Sequence, residues 1–253
     1  MFCIFDRNYT SNMLNDNDWQ SRTCLLIGNT GIQKLQKAHV IVVGLGGVGA
    51  FASELLARAG IGTITIVDSD MYNASNRNRQ TAAYVSTLGK NKTDVIEAKL
   101  KDINPEIIVH KKNLYLKDDN IPALLSESSY TYVLDAIDSL SPKIFLIYNA
   151  LKMNLKIISS MGSGGKFDPQ QIRIDDISKS YECRLAFIVR KKLHRMGIYK
   201  GFKVVFSTEK VEKSLIFPLE GIPNKKSVVG TISYMPPIFG AFAVSEIIRD
   251  ILK

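Results

Sequence analysis

Cysteine is scarce in this chain, and the three present, Cys3, Cys24 and Cys183, stand far apart with no CxxC pair. That spacing excludes a disulfide framework and a four-cysteine zinc site, so no zinc is expected, and it points to a reducing, cytoplasmic compartment. Long apolar runs are missing too. The best candidate, Ile232 to Leu252, is interrupted by Pro236, Pro237, Glu246, Arg249 and Asp250, so no integral membrane segment is expected. The polar, Asn- and Asp-rich start from Met1 to Trp19 has neither a signal-peptide nor a transit-peptide pattern. His39, His110 and His194 have no metal-ligand spacing. Nothing repeats, and no low-complexity linker divides the chain. Acid is in deficit: 24 Asp and Glu against 33 Lys and Arg leave a net charge of +9 over 253 residues. Such a surplus suits a polyanionic partner and carries no information about fold.

What is present alternates. Val40-Ile41-Val42-Val43 is a β-branched run ending in glycines, the pattern of a buried strand. Val48, Ala52, Leu55, Leu56 and Ala59 then mark one face of a helix, which Gly60 and Gly62 end. Thr63 to Val67 is a second strand, and Ile96, Leu100 and Ile103 mark a second helix stopped before Pro105. Ile107 to Val109, Tyr132 to Leu134 and Ile157-Ile158 are strand-like, with a helix from about Lys143 to Met153 before the last. Strand and helix alternating from residue 38 to 160 predict an α/β fold, a Rossmann-like, doubly wound, mostly parallel sheet. After Gly165 the rhythm changes. Ile172 to Ile174 and Val204 to Phe206 read as strands flanking a helix with Leu185, Val189, Leu193 and Met196 on one side, and Ala241 to Leu252 reads as a last helix. The expected organisation is an N-terminal helical arm (1–37), a nucleotide-binding core (38–165) and a C-terminal α+β extension of the same sheet (166–253).

The chemistry concentrates in the core. Gly44, Gly46 and Gly49, with Gly47 between them, satisfy GxGxxG directly after a strand and at a helix start. Glycines there let the backbone turn tightly and approach a phosphate, which free N–H groups and the helix dipole then meet. Asp68 ends the second strand, where a ribose-binding carboxylate is expected. To this point a nicotinamide dehydrogenase fits as well as an ATP enzyme. The segment after Asp68 separates them, because a hydride-transfer site wants an apolar slot and few charges. An adenylylating site must hold a triphosphate and neutralise charge at one phosphorus. Asn76, Arg79 and Lys92 supply an amide and two cations for that work, and Asp138, just beyond the strand at Tyr132, supplies a metal-binding carboxylate.

These residues carry a resemblance. Gly-Leu-Gly-Gly-Val-Gly (44–49), Asp68-Ser69-Asp70, Ser75-Asn76-x-Asn78-Arg79-Gln80, Gly89 with Lys92, Ile103-Asn104-Pro105-Glu106 and Asp135-Ala136-Ile137-Asp138 resemble the ThiF/MoeB/HesA group of ubiquitin-activating-like adenylylating enzymes. The resemblance implies ATP contacts from Gly44, Gly46, Gly47, Gly49, Asp68, Asp70, Asn76, Arg79 and Lys92, with Mg²⁺ held by Asp138. It also implies a homodimer in which Arg22 reaches a neighbouring subunit's ATP site. Paired zinc cysteines, usual in the members that activate sulfur carriers, are missing. Downstream, Pro142-Lys143, Gly162-Ser163-Gly164-Gly165, Phe167-Asp168-Pro169, Phe206-Ser207-Thr208-Glu209 and Phe239-Gly240-x-Phe242 are similar to the branch of tRNA threonylcarbamoyladenosine dehydratases. The implied reaction is adenylylation of the threonylcarbamoyl carboxylate on tRNA, then ring closure with loss of AMP. Activation of a ubiquitin-like sulfur-carrier protein is the alternative, a nicotinamide dehydrogenase a remote one, and a sulfur-transfer or carrier protein a further candidate partner.

The C-terminal half adds a basic segment. Arg184, Arg190, Lys191, Lys192, His194, Arg195, Lys200 and Lys203 cluster with a single acid, Glu182. Arg184, Lys191, Lys192 and Arg195 are the candidate tRNA contacts, either as a phosphate-backbone footprint or, equally in keeping with the pattern, as a solvated helix face. Cys183 is expected to be a small apolar filler, and the tyrosines and phenylalanines to pack in the core.

Overall fold

The computed structural model describes residues 19–218 and 227–253; Cys3 and the first eighteen residues of the expected N-terminal arm lie outside the described residues. Seven strands form one sheet: β1 (His39–Val43), β2 (Thr63–Val67), β3 (Ile108–Lys112), β4 (Tyr132–Asp135), β5 (Ile157–Ser160), β6 (Ile172–Asp176) and β7 (Lys203–Ser207). Their order is β3-β2-β1-β4-β5-β7-β6. All neighbours run parallel except β6, which pairs antiparallel with β7. The doubly wound sheet and its C-terminal extension are thus one continuous sheet.

Strand periodicity feeds two apolar layers. Val40, Val42, Ile64, Ile66, Leu134, Ile158 and Val205 face one cluster, into which α1 (Ser21–Lys37), α2 (Gly49–Ala59), α3 (Lys92–Ile103) and α7 (Met235–Leu252) pack. Ile41, Val43, Val133, Ile157, Val204 and Phe206 face the other, covered by α4 (Ile121–Ser126), α5 (Leu140–Lys152) and α6 (Arg184–His194). A strand buried on both faces has no polar side to show, which is why β1 reads as a continuous apolar run, while β2 keeps β-branched Thr63 and Thr65 alternating with its isoleucines. β8 (Ile216–Pro218) and β9 (Ser227–Val229) form a separate hairpin-like pair.

One boundary differs from expectation, and two features were not expected. α7 begins at Met235, because Pro236 and Pro237 occupy its first turn, where a missing N–H costs no intrahelical bond. α4 has only six residues, too few to register as a periodic pattern. α1 is bent at Gly28, whose φ of 72° and ψ of 170° are not helical. Among the described residues no helix is long and apolar enough to cross a membrane.

Candidate active site

β1 and β4 lie side by side, while their onward connections run to opposite edges of the sheet. Such a switch point opens a crevice at the carboxyl ends of the strands. Two turns fill its rim. The glycine loop leaves β1, Gly44 N–H donating to Val67 O at 2.8 Å, and the loop carrying Asp138 leaves β4, Ala136 N–H donating to Val43 O at 2.8 Å. Gly44 has φ +92°, and a Cβ there would sit 2.8 Å from Ala136 O. The two turns can therefore touch only because residue 44 has no side chain.

The remaining glycines have different reasons. A Cβ on Gly49 would lie 1.8 Å from Gly44 O, closing the turn sterically, and one on Gly47 would meet Pro236 Cβ at 2.8 Å. Gly47 thus makes room for α7. Gly46 alone of the four is open: the nearest atom to its absent Cβ is Gln80 Nε2 at 3.9 Å. No side chain caps α2 and its first turn carries no acid, so the helix itself leaves its positive end open to an anion.

Asp68 is tied to that loop. Its Oδ2 accepts from Leu45 N–H at 2.6 Å and its Oδ1 from Asp70 N–H at 2.8 Å. Lys92, at the start of α3, places its buried Nζ 2.8 Å from Asp70 Oδ2 and 3.6 Å from Asp68 Oδ2. A buried ammonium between two carboxylates is held in place; Asp70 itself is largely exposed, leaving one side of the pair open.

Residues 73–80 form the next wall. Asn76 is buried, and its Oδ1 accepts from Asn73 N–H at 3.1 Å, bracing the turn Ala74–Asn76. Arg79 donates through Nη1 to Ser75 O at 2.9 Å and Asn78 Oδ1 at 3.0 Å, while its own carbonyl abuts Gly47. Asn78 Nδ2 reaches Thr231 O at 3.0 Å and ties this wall to the C-terminal half. Gln80, to which sequence alone assigns no role, is buried beside Gly46, and its Oε1 has no hydrogen-bond partner among the described residues.

A second unforeseen element supports the Asp138 loop. Asp135 and Lys143 are fully buried, with Nζ 2.6 Å from Oδ2. Lys143 also donates to Ser160 O at 2.9 Å and Ser159 Oγ at 3.2 Å, Ser159 Oγ donates to Asp135 Oδ2, and Asp135 Oδ1 accepts from Ile137 N–H at 3.0 Å. The ends of β4 and β5 and the first turn of α5 are thereby fastened under the exposed Asp138. Both residues belong to matched motifs, but only the strand order reveals that they meet.

The far wall is the loop after β5. Gly165 N–H donates to Gly230 O at 2.7 Å, and the Glu209 carboxylate accepts from Phe167 and Asp168 N–H. Lys166 is buried and donates to Glu209 O; burial pushes its pKa down from the ordinary lysine value. Cys183 is buried in the core.

Gly44, Gly46, Gly47, Gly49, Asp68, Asp70, Asn76, Arg79 and Lys92 thus lie on turns that contact one another, and Asp138 follows two residues after Ala136, which abuts Gly44. Arg22 is not among them. It stands on α1, whose neighbour Gln20 abuts Gly60 at the far end of α2 from the glycine loop. Arg184, Lys191, Lys192 and Arg195 are exposed along α6, outside the crevice. The expectation that the aromatics pack internally fails there: Tyr181, Phe187 and Tyr199 are 58%, 55% and 61% exposed.

Comparison with known proteins agrees with this geometry. Residues 20–253 match the model of the ThiF family. The chain is 37% identical over 240 residues to a tRNA threonylcarbamoyladenosine dehydratase of Bacillus subtilis (strain 168), covering 92% of this chain and 94% of that protein. The crystal structure of the E. coli tRNA N6-threonylcarbamoyladenosine dehydratase in complex with ATP superposes with a TM-score of 0.83 at 34% identity, covering 93% of this chain and 95% of that one. The same E. coli protein in complex with AMP gives the same score, identity and coverage.

Proposed function

The chain belongs to the ThiF family, and from that membership we propose that it is an ATP-dependent tRNA threonylcarbamoyladenosine dehydratase. One observation carries the reading: the glycine loop, the Asp68–Lys92–Asp70 cluster and the Asp138 loop meet at a single switch-point crevice. Dehydratase similarity over nearly the whole chain supports threonylcarbamoyladenosine on tRNA as the substrate.

In this mechanism the triphosphate lies along the glycine loop, approaching closest at Gly46, and Asp68 receives the ribose hydroxyls. Arg79, Lys92 and the Asn76 amide bind the phosphates, and their charge stabilises the crowded phosphorus in the transition state. The threonylcarbamoyl carboxylate attacks the α-phosphorus and the bond to the β-phosphate breaks, releasing pyrophosphate and leaving an acyl-adenylate. An atom of the same side chain then attacks the activated carbonyl, the carbonyl–AMP bond breaks and a proton is lost. The net change on the nucleoside is one water removed. Ring closure is intramolecular, so proximity replaces a separate nucleophile and no catalytic cysteine is needed. Asp138, an exposed carboxylate beside the glycine turn, fits Mg²⁺ as an oxygen ligand, and the ion would neutralise triphosphate charge.

We assign Arg22 to the ATP site of a partner subunit in a homodimer, since its own glycine loop lies at the other end of α2. Residues 38–165 then form the ATP side, 166–253 the tRNA side, and the enzyme works in the cytoplasm. Pyrophosphate release tests the reading. It should require tRNA carrying threonylcarbamoyladenosine and fail with unmodified tRNA; release driven by a small carrier protein instead would replace the reading with carrier activation.

A further inference from the structure

The solvent-facing stripe of α6 is built from Arg184, Phe187, Lys191 and Arg195, three to four residues apart, opposite a buried stripe of Ala186, Val189 and Leu193. Phe187 stands in the middle of the cations, 55% exposed, with the Arg190 guanidinium 6.0 Å from its ring centroid. Past the helix end, Tyr199 is 61% exposed and stacked at a tilt on His194, ring centroids 4.9 Å apart. Among the described residues both rings stay more than half exposed.

We infer that this face is a stacking platform for unpaired bases of an RNA loop, with Phe187 as its main ring and the His194–Tyr199 pair as a second. This rests on the reading that the substrate is a tRNA. An apolar protein surface laid over Phe187 would strand Arg184, Lys191 and Arg195 away from water with no counter-charge. A nucleic acid answers both needs, since phosphates neutralise the cations while a base covers the ring. A duplex keeps its bases stacked inside and offers only phosphates and groove edges, so it would leave Phe187 wet; a loop splays its bases outward. The place is apt as well. Leu185, at the start of α6, has its Cβ 3.8 Å from where a Cβ on Gly162 would stand, in the loop after β5, at the same carboxyl end of the strands as the glycine loop. A loop lying along α6 therefore leads toward the crevice.

The test is binding of an anticodon stem-loop hairpin, and of a fully paired duplex of matching length, to the full chain and to Phe187→Ala, Phe187→Trp and Lys191→Glu. Thermal melting checks that each variant folds. Phe187→Ala should weaken hairpin binding about tenfold without changing its salt slope, leave duplex binding nearly unaltered, and be rescued by Phe187→Trp. Lys191→Glu should weaken both and lower the slope. Unaltered hairpin binding by Phe187→Ala, with Lys191→Glu still weakened, would overturn the platform and leave the tRNA reading standing. A Phe187→Ala variant that dissociates from a second copy of the chain or from a carrier protein would overturn the platform in favour of a protein contact. No RNA binding by the unaltered chain would overturn the tRNA reading beneath it.

Discussion

Lys92 and Lys143 in the core and Lys191 and Lys192 on α6 are the same residue type under opposite conditions. The first two are buried and locked between named oxygens; the second two are exposed. Buried ammonium groups need partners at fixed positions, and that fixity is what stabilisation of a transition state at one phosphorus demands. Exposed ones hold no fixed geometry and suit a flexible polyanion, where affinity comes from counterion release rather than alignment. On the proposed function the contrast sets residues for chemistry against residues for capture, and each half can be broken without the other.

The largest effect is expected at the support of the Asp138 loop. Lys143→Met leaves Asp135 buried without its counter-charge, at a cost of about 3–5 kcal/mol, seen as a lowered urea midpoint. Next comes the chemistry itself. Lys92→Ala and Asp138→Asn should each slow pyrophosphate release roughly a hundred- to a thousand-fold, while hairpin RNA binding stays near that of the unaltered chain. A matching loss of RNA binding would merge the two regions that the comparison keeps apart.

Reversing Lys191 and Lys192 to Glu should act the other way. The slope of log affinity for tRNA against log salt should shrink by about 0.7 to 0.9 for each phosphate that is no longer neutralised, with ATP binding preserved. The smallest effect is a pH dependence of stability outside both regions. His39 opens β1 beside His110, Tyr130 and Thr65, its Nε2 lying 2.8 Å from Thr65 Oγ1. Burial, and secondarily the charge of His110, hold its pKa below the ordinary histidine value. A depressed histidine favours the neutral form in the folded state, so the unfolded chain takes up the proton first. Stability is therefore complete above roughly pH 6.5 and falls as pH drops below it. His39→Asn should flatten that acid limb in thermal melts; an unchanged limb would move the effect to another group.

Much of the core was legible in the sequence because it repeats one signal. β1, β2 and β4 are buried on both faces, and short β-branched runs can be little else when glycines and helix-period segments flank them. The positions of the glycine loop, Asp68 and Asp138 at strand ends were legible because each follows an apolar run directly, and the roles given to them and to Asn76, Arg79 and Lys92 belong to the proposed function. Lys143 was not: a lysine inside an apolar helix looks like a stray polar residue until β4 and β5 bring Asp135 and Ser159 to it, 8 and 16 residues away. Phe187 was hidden for the opposite reason. A phenylalanine within an amphipathic pattern reads as core, and only its angular position among the cations shows that it faces water. Gly47 carried a mixed signal, since one motif serves both a phosphate approach and the packing of α7.

Adenylylation of a carboxylate on tRNA, as proposed for the crevice, can be measured directly. The direct measurement is the mass of the modified nucleoside recovered from tRNA carrying threonylcarbamoyladenosine after incubation with the chain, ATP and Mg²⁺. Loss of one water per nucleoside is expected, with AMP and pyrophosphate formed in equal amounts and none of this with Lys92→Ala. An unchanged nucleoside, with AMP appearing instead on the C-terminus of a carrier protein, would contradict the proposal.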